Sequence, residues 1–396
     1  MTSSQQAVIC AARRTAVAPR GGALSRFQAD ELAAPVFTSV LEDAGVSSEA
    51  VDTVVMGNAL YGGGNPARLA ALRAGLPVSV PAMTIDTQCC SGLDAIIHAA
   101  RLVESGAAQC VLAGGMESFS RSPVRMHRPD VKGQEPIAYT RPPFAPPPYA
   151  DPDLAEAAAM LAAERGFDLE QQAAFAVTSH EKALDQANLE ILRREIVPMN
   201  EGTVFRDEFT RTLNMRTALR APVVAGEKPY AVNAATTAVE ADAAAAVLVT
   251  SRDFAIAHKN THVLALEAAL SVGGETGSPA IAPIRAARRL IQSHPDMKLG
   301  LTNVEVMEAY ASQALATVHD LDLDLKIVNA RGGALSRGHP IGASGTILVV
   351  RLFADLVREP TAKRTDRAGL KRRGLALIAA AGGLGTAAVF APVNLA

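Results

Sequence analysis

Short apolar runs alternate with helical patterns over the first 115 residues of this chain, and the alternation resumes near residue 243. Val8–Ala11, Val51–Gly57 and Ala108–Gly115 read as strands in the first stretch. Between them, the spacing predicts a helix from Ala29 to Ala44 ended by Gly45, and another opened by Asn65 with Pro66 at its first position. In the second stretch, Val247–Val249, Val263–Leu266, Lys326–Val328, Leu375–Ile378 and a run near Thr386–Phe390 read as strands. A helix from about Gly342 to Val357 lies among them. Strands that alternate with helices, and are apolar along their whole length, predict an α/β fold with a mainly parallel sheet covered on both faces. The two stretches look like one plan run twice.

The interval from about 117 to 245 departs from this plan. Arg121 to Pro152 is dense in proline, with Arg141-Pro142-Pro143-Phe144-Ala145-Pro146-Pro147-Pro148-Tyr149 at its heart, which excludes regular helix and central strand. Two helical patterns follow, Leu154–Arg165 and Leu169–Asn188, so the interval reads as a separate excursion over one face of the core. With a net charge of −2, the chain lacks the electrostatic footprint of a nucleic-acid or anionic-membrane binder. No uninterrupted apolar run reaches the length of a membrane span, and the start lacks a signal-peptide pattern, so a cytoplasmic protein is expected. Its four cysteines show no CxxC pair and no histidines at zinc spacing, so no metal site is expected.

Two stretches carry chemistry. Val80–Ile85 reads as a strand and Leu93, Ile96, Ile97, Ala100 and Val103 as one face of a helix, which places Cys89 at the hand-over between them. There the helix N-terminus favours a thiolate over a thiol. The second stretch, Gly338-His339-Pro340-Ile341-Gly342-Ala343-Ser344-Gly345, holds a histidine rigidly in a glycine-dense turn that enters a helix. A cysteine and a histidine distant in sequence are the usual parts of an activated thiol nucleophile.

With these motifs the chain resembles the thiolase family over nearly its whole length. The matching features are Asn65-Pro66-Ala67-Arg68, Cys89-Cys90-Ser91-Gly92-Leu93, Gly114-Gly115-Met116-Glu117-Ser118 and Glu195-Ile196-Val197-Pro198, then Glu308-Ala309-Tyr310-Ala311, the His339 block and Gly382-Gly383-Leu384-Gly385. The resemblance implies two similar α/β halves in an α-β-α-β-α layered core plus a loop domain that meets CoA. On this chain that divides into 1–116, a loop domain at 117–245 with 246–262 completing the first half, and 263–396. It also implies an acyl-CoA substrate, no tightly bound cofactor, and homodimers or homotetramers. By the same match Cys89 takes the acyl group, and His339 activates it and donates to an oxyanion.

The departures from the family's pattern are specific. Ala379 stands where a second, acid/base cysteine is usual, and Ala381 stands for the glycine whose N–H helps form the second oxyanion hole, just before Gly382. Met307 replaces the asparagine that orders a water in the first hole, and Tyr310 the phenylalanine that follows. Arg331 replaces another asparagine, and the CoA-facing segment Val232-Asn233-Ala234-Ala235 lacks the usual glycine and serine. Glu308, Tyr310 or His339 is left to move the second proton, and Asn233, Ala235, Arg211 and Met116 are the candidates to meet CoA. Three outcomes stay open: acyl transfer with an altered second half-reaction, hydrolysis of an acyl-Cys89, or a non-catalytic subunit that binds CoA or a partner chain.

Overall fold

The computed structural model describes residues 6–298, 300–358 and 371–396. Eleven strands form one hydrogen-bonded array. Its main path uses β1 (Ala7–Thr15), β2 (Thr53–Gly57), β3 (Ala82–Ile85), β4 (Cys110–Ser118), β5 (Ala241–Ser251), β6 (His262–Gly273), β7 (Leu301–Val306), β8 (Arg373–Ala380) and β9 (Leu384–Asn394). Their order is β7-β8-β9-β6-β1-β5-β4-β2-β3, and the short strands Ala18–Pro19 and Ile196–Val197 pair with β5 and β1. The helices that matter here are α1 (Ala29–Ala44), α2 (Pro66–Arg73), α3 (Ser91–Glu104), α4 (Leu154–Arg165), α5 (Leu169–Leu184), α6 (Gln186–Glu195), α7 (Ala282–Ser293), α8 (Ala311–Asp320) and α9 (Ile341–Phe353).

Side-chain alternation along the strands sorts the core into layers. Leu112 and Met116 of β4 and Val54 and Met56 of β2 pack outward with Val36, Phe37 and Val40 of α1 and Ala70 of α2. Val111 and Ala113, one step along β4, face inward onto Leu93, Ile96 and Ile97 of α3. That middle layer also holds Ile347, Leu348 and Val350 of α9, and beyond it Ala376 and Ile378 of β8. Leu375 and Leu377 face the other way, onto Ile284 and Leu290 of α7 and Ala314 and Val318 of α8. The result is the expected succession α-β-α-β-α, with α3 and α9 sandwiched between two sheet regions.

The sheet is mixed, not mainly parallel. β1 pairs antiparallel with β5 and β6, β5 with β4, and β9 with β6 and β8; the β2–β3, β2–β4 and β7–β8 pairs and the short Ile196–Val197 strand on β1 are parallel. Helices cover both faces of the antiparallel centre, so its strands carry the same unbroken apolar signature as buried parallel ones. The run Lys326–Val328 is not a strand; Val328 makes a single bridge to Val304 of β7, a strand whose Asn303 and Glu305 disguise it in sequence. The helix expected over Leu169–Asn188 breaks at Asp185, whose carboxylate caps α6 by accepting from the Ala187 and Asn188 N–H groups. No helix among the described residues is long and apolar enough to cross a membrane.

Where α3 meets α9, their backbones nearly touch. A Cβ on Gly115 would lie 1.8 Å from the Gly342 carbonyl oxygen, and one on Gly92 would lie 2.6 Å from the same atom. No rotamer relieves such overlap, so Gly115→Ala must push the start of α9, and His339 with it, away from Cys89. Overpacking of this kind costs about 1–3 kcal/mol. The expected result is a lowered melting temperature together with lost Cys89 acylation.

Buried charges fasten the excursion to the core. Arg14 of β1 donates through Nε to Glu195 at 3.1 Å and through Nη1 to Asp207 at 2.7 Å. Arg351 of α9 also pairs with Glu195, and of these four side chains only Asp207 is not fully buried. Arg331, which departs from the expected asparagine, is part of the same construction: it reaches Asp355 and Asn188, each at 2.6 Å. Removing one partner of a buried ion pair costs about 3–5 kcal/mol. Glu195→Ala should therefore lower the denaturation midpoint strongly, whereas an exposed pair such as Arg20–Glu240 should be worth little.

Candidate active site

Cys89 sits one residue before the N-cap of α3, on a tight turn fixed by its own side chains. Asp86 accepts from the Gln88 N–H at 2.8 Å, and Ser91 Oγ accepts from the Thr87 N–H at 2.9 Å while donating to the Gln88 carbonyl at 2.6 Å. Gln88 is held at φ +55°, a conformation non-glycine residues adopt at a cost repaid by such bonds. Asp94, one turn into α3, accepts from Thr87, Ser271 and Thr386, which ties the Cys89 turn to β6 and β9 of the second half.

His339 reaches this turn from the second half. Its Nε2 lies 3.2 Å from Cys89 Sγ, and its Nδ1 lies 2.7 Å from Ser344 Oγ. Ser344 gives its only hydroxyl proton to the Pro340 carbonyl at 2.9 Å, so its oxygen accepts from Nδ1–H. The imidazole is thereby fixed in the tautomer whose bare Nε2 faces the thiol, the orientation a general base needs. Ser344→Ala removes that acceptor and leaves a buried donor unsatisfied, a loss of about 1–3 kcal/mol. Acylation should slow by about 10–100-fold with the thioester KM little changed, and Ser344→Thr should recover most of the rate.

Burial dominates the electrostatics. It pushes the Cys89 thiol up to about 12, against the pull of the N–H groups of Ala381 and of Cys89 itself, with the Glu117 and Asp86 carboxyls adding to the rise. It also pushes His339 down to about 4. The resting pair is a neutral thiol and a neutral imidazole, which corrects the expectation of a thiolate drawn from the helix N-terminus alone. The thiolate forms as attack proceeds, when Nε2 takes the proton. The two backbone N–H groups aimed at Sγ converge on the reacting atom. An alanine keeps its N–H, so Ala381 preserves the donor that the glycine would have supplied.

The chamber above Cys89 has a volume of about 110 Å³. Ala379, Ala380 and Ala381 form one wall, Leu154, Ala157 and Ala158 of α4 another, and Tyr310, Thr237, Gln313 and His339 bring the polar groups. Four of the sequence-derived residues therefore meet Cys89 in the chamber: His339, Tyr310, Ala379 and Ala381. Gly382 lies just beyond it at φ +76°, and a Cβ there would come within 3.0 Å of the Phe144 carbonyl, so the proline-rich segment runs over this corner.

Others lie elsewhere. Glu308 is fully engaged as a strut, accepting from Ser179 Oγ at 2.8 Å, Asn329 Nδ2 at 2.5 Å and the Leu335 N–H at 3.0 Å, and it does not border the chamber. Its bond to the Leu335 N–H ties it to the loop before His339. Met307 is buried in the middle layer and Met116 in the outer one, so neither touches the chamber. Asn233 spends its amide on the Ala218 carbonyl and its Oδ1 on the Ala235 and Thr236 N–H groups, building a turn; Ala235 is buried beside it. Arg211 is exposed, with its guanidinium 4.0 Å above the Phe209 ring. Sequence reasoning missed Thr237, Gln313 and the α4 alanines, whose small or uncharged side chains carry no chemical signal of their own.

Two comparisons fix the family. The family model described as Thiolase, N-terminal domain, matches residues 7–253, and that described as Thiolase, C-terminal domain, matches residues 261–392. The chain belongs to the thiolase family. Among curated relatives of this thiolase, a Bacillus subtilis protein named as a candidate acetyl-CoA C-acetyltransferase, YhfS, is 36% identical over 389 residues, covering 97% of this chain and 98% of its own. A Staphylococcus aureus protein named likewise, VraB, is 34% identical over 394 residues, covering 97% and 99%. The crystal structure of the Bacillus anthracis acetyl-CoA acetyltransferase superposes with a TM-score of 0.86 at 28% identity, covering 99% of this thiolase and all of that chain.

Proposed function

We propose that this thiolase transfers acyl groups from a CoA thioester through an acyl-Cys89 intermediate, with an atypical second half-reaction. The 3.2 Å contact between Cys89 Sγ and a tautomer-fixed His339 carries this reading. Cys89 attacks the thioester carbonyl, His339 takes the thiol proton, and the departing CoA thiolate receives it. The relatives' acetyl-CoA acetyltransferase names support a short acyl-CoA as donor, as does a chamber of about 110 Å³ walled by alanines. The exposed Arg211 remains a candidate to meet the CoA phosphates, with Asn233 and Ala235 shaping the turn nearby. The proposal needs no tightly bound cofactor, and it keeps a cytoplasmic homodimer or homotetramer.

The test is release of free CoA from acetyl-CoA and acetoacetyl-CoA at stoichiometric enzyme. A burst of one CoA per Cys89 supports an acyl-enzyme. Absence of any burst with either thioester, from folded protein, would count against it and favour a non-catalytic subunit.

A further inference from the structure

We propose that the acceptor for acyl-Cys89 is a thiol, with His339 moving the proton in both half-reactions, so that this chamber transfers acyl groups between thiols and does not make carbon–carbon bonds. This rests on the acyl-Cys89 reading above. The inference comes from what the chamber offers an incoming second substrate. Forming a carbon–carbon bond requires removing a proton from carbon, a far weaker acid than a thiol, so it needs a base set beside that carbon, whereas a thiol can give its proton to the base at Sγ. Among the described residues bordering the chamber, the wall facing the nucleophile is made of methyl groups, those of Ala379, Ala380 and Ala381.

The remaining polar groups do not supply the base. Gln313 is committed to the Ala309 N–H and to Thr317, and Thr237 donates to the Asn233 carbonyl. No described group hydrogen-bonds the Tyr310 hydroxyl, but burial raises its pKa, so the phenol keeps its proton at neutral pH and is not the base. Among the described residues, none of the carboxyls near the site borders the chamber, and Asp86 accepts from the Gln88 N–H. Glu308 is held by three donors, and Glu117 accepts from Asn58, Ala59, Leu60 and Gly342. The neighbouring thiol, Cys90, is buried and points at the Ile378 carbonyl. His339 is the one base bordering the chamber among the described residues, and it faces Sγ.

That single base suffices for a thiol acceptor. In the first half-reaction the Cys89 S–H proton passes to Nε2, the Cys89 sulfur–acyl bond forms, the acyl–CoA sulfur bond breaks, and CoA leaves with that proton. In the second, the acceptor's S–H proton passes to Nε2 and its sulfur bonds the acyl carbon. The Cys89–acyl bond then breaks and Sγ takes the proton back. No oxidant or further reactant is consumed. Water could be activated in the same way, but a thiol gives up its proton more readily and its thiolate is the stronger nucleophile towards a thioester, which favours the thiol.

The experiment runs the wild-type protein with acetyl-CoA and free pantetheine in deuterium oxide, with Cys89→Ala as background, and analyses both thioesters by mass. The expected result is acetyl-pantetheine with no deuterium at the acetyl carbon above background. Deuterium incorporation, or acetoacetyl-CoA, at a rate comparable to acetyl-pantetheine formation would overturn the inference while leaving acyl-Cys89 intact. Acetate in place of acetyl-pantetheine would overturn the thiol acceptor. An unmodified Cys89 would sink the underlying reading as well. Ala379→Cys places a thiol on the methyl wall, and deuterium incorporation should then rise by about 10²-fold or more over wild type.

Discussion

Cys89→Ala should lower thioester-dependent CoA release by a factor on the order of 10⁴ or more, the scale on which nucleophile removal acts in enzymes that work through a covalent intermediate. Its fold should survive. Cys89 is only partly buried and lines the chamber, and the exchange removes one sulfur without opening a sealed cavity. The turn around it is held by Asp86, Ser91 and Thr87, none of which uses the Cys89 side chain. Near-wild-type denaturation with lost turnover would assign the loss to chemistry. Residual turnover within tenfold of wild type would mean that another group attacks the thioester.

His339→Ala should slow acylation by about 10²–10⁴-fold, the usual worth of a positioned base. The pH profile sharpens this. A neutral imidazole must accept the thiol proton, and burial holds His339 near 4 against an ordinary 6.5. Acylation should therefore be level through the neutral range and fall only as the pH drops towards 4. Stability moves in the same direction. A histidine whose folded pKa is depressed contributes stability that is present above 6.5 and lost as the pH falls from there through about 4, because the unfolded chain binds the proton first. His180, buried on α5 beside Arg211 and also held near 4, adds to that loss. A rate that falls already between pH 8 and 6 would contradict a neutral resting pair.

Much of this site was legible before any coordinates, because catalytic chemistry needs residue types that are rare in glycine-dense turns. Cys89 at a strand–helix junction and His339 between a glycine and a proline are such cases. The helix from Ala29 to Ala44 was also legible, since Gly45 adopts the left-handed conformation that ends it. Strand direction was not. β5 and β4 are antiparallel, yet both lie between helical layers and are apolar throughout, so no alternation betrays their pairing. Glu308 and Met307 look like site residues because Met307–Tyr310 resembles a family motif. In space β7 ends at Val306, and the chain turns so that only Ala309 and Tyr310 reach the chamber. The helix-dipole argument for a thiolate failed for an energetic reason: a few tenths to 1 kcal/mol from a helix terminus is outweighed by desolvation, which can move a buried group by several pKa units.

The most direct measurement is the mass of the intact wild-type protein, quenched within seconds of mixing with acetyl-CoA, followed by peptide mapping. One acetyl group on the peptide that contains Cys89, absent from Cys89→Ala, is the predicted result. An unchanged mass while the thioester is being consumed, or an acetyl group on any other residue, would contradict covalent catalysis by Cys89.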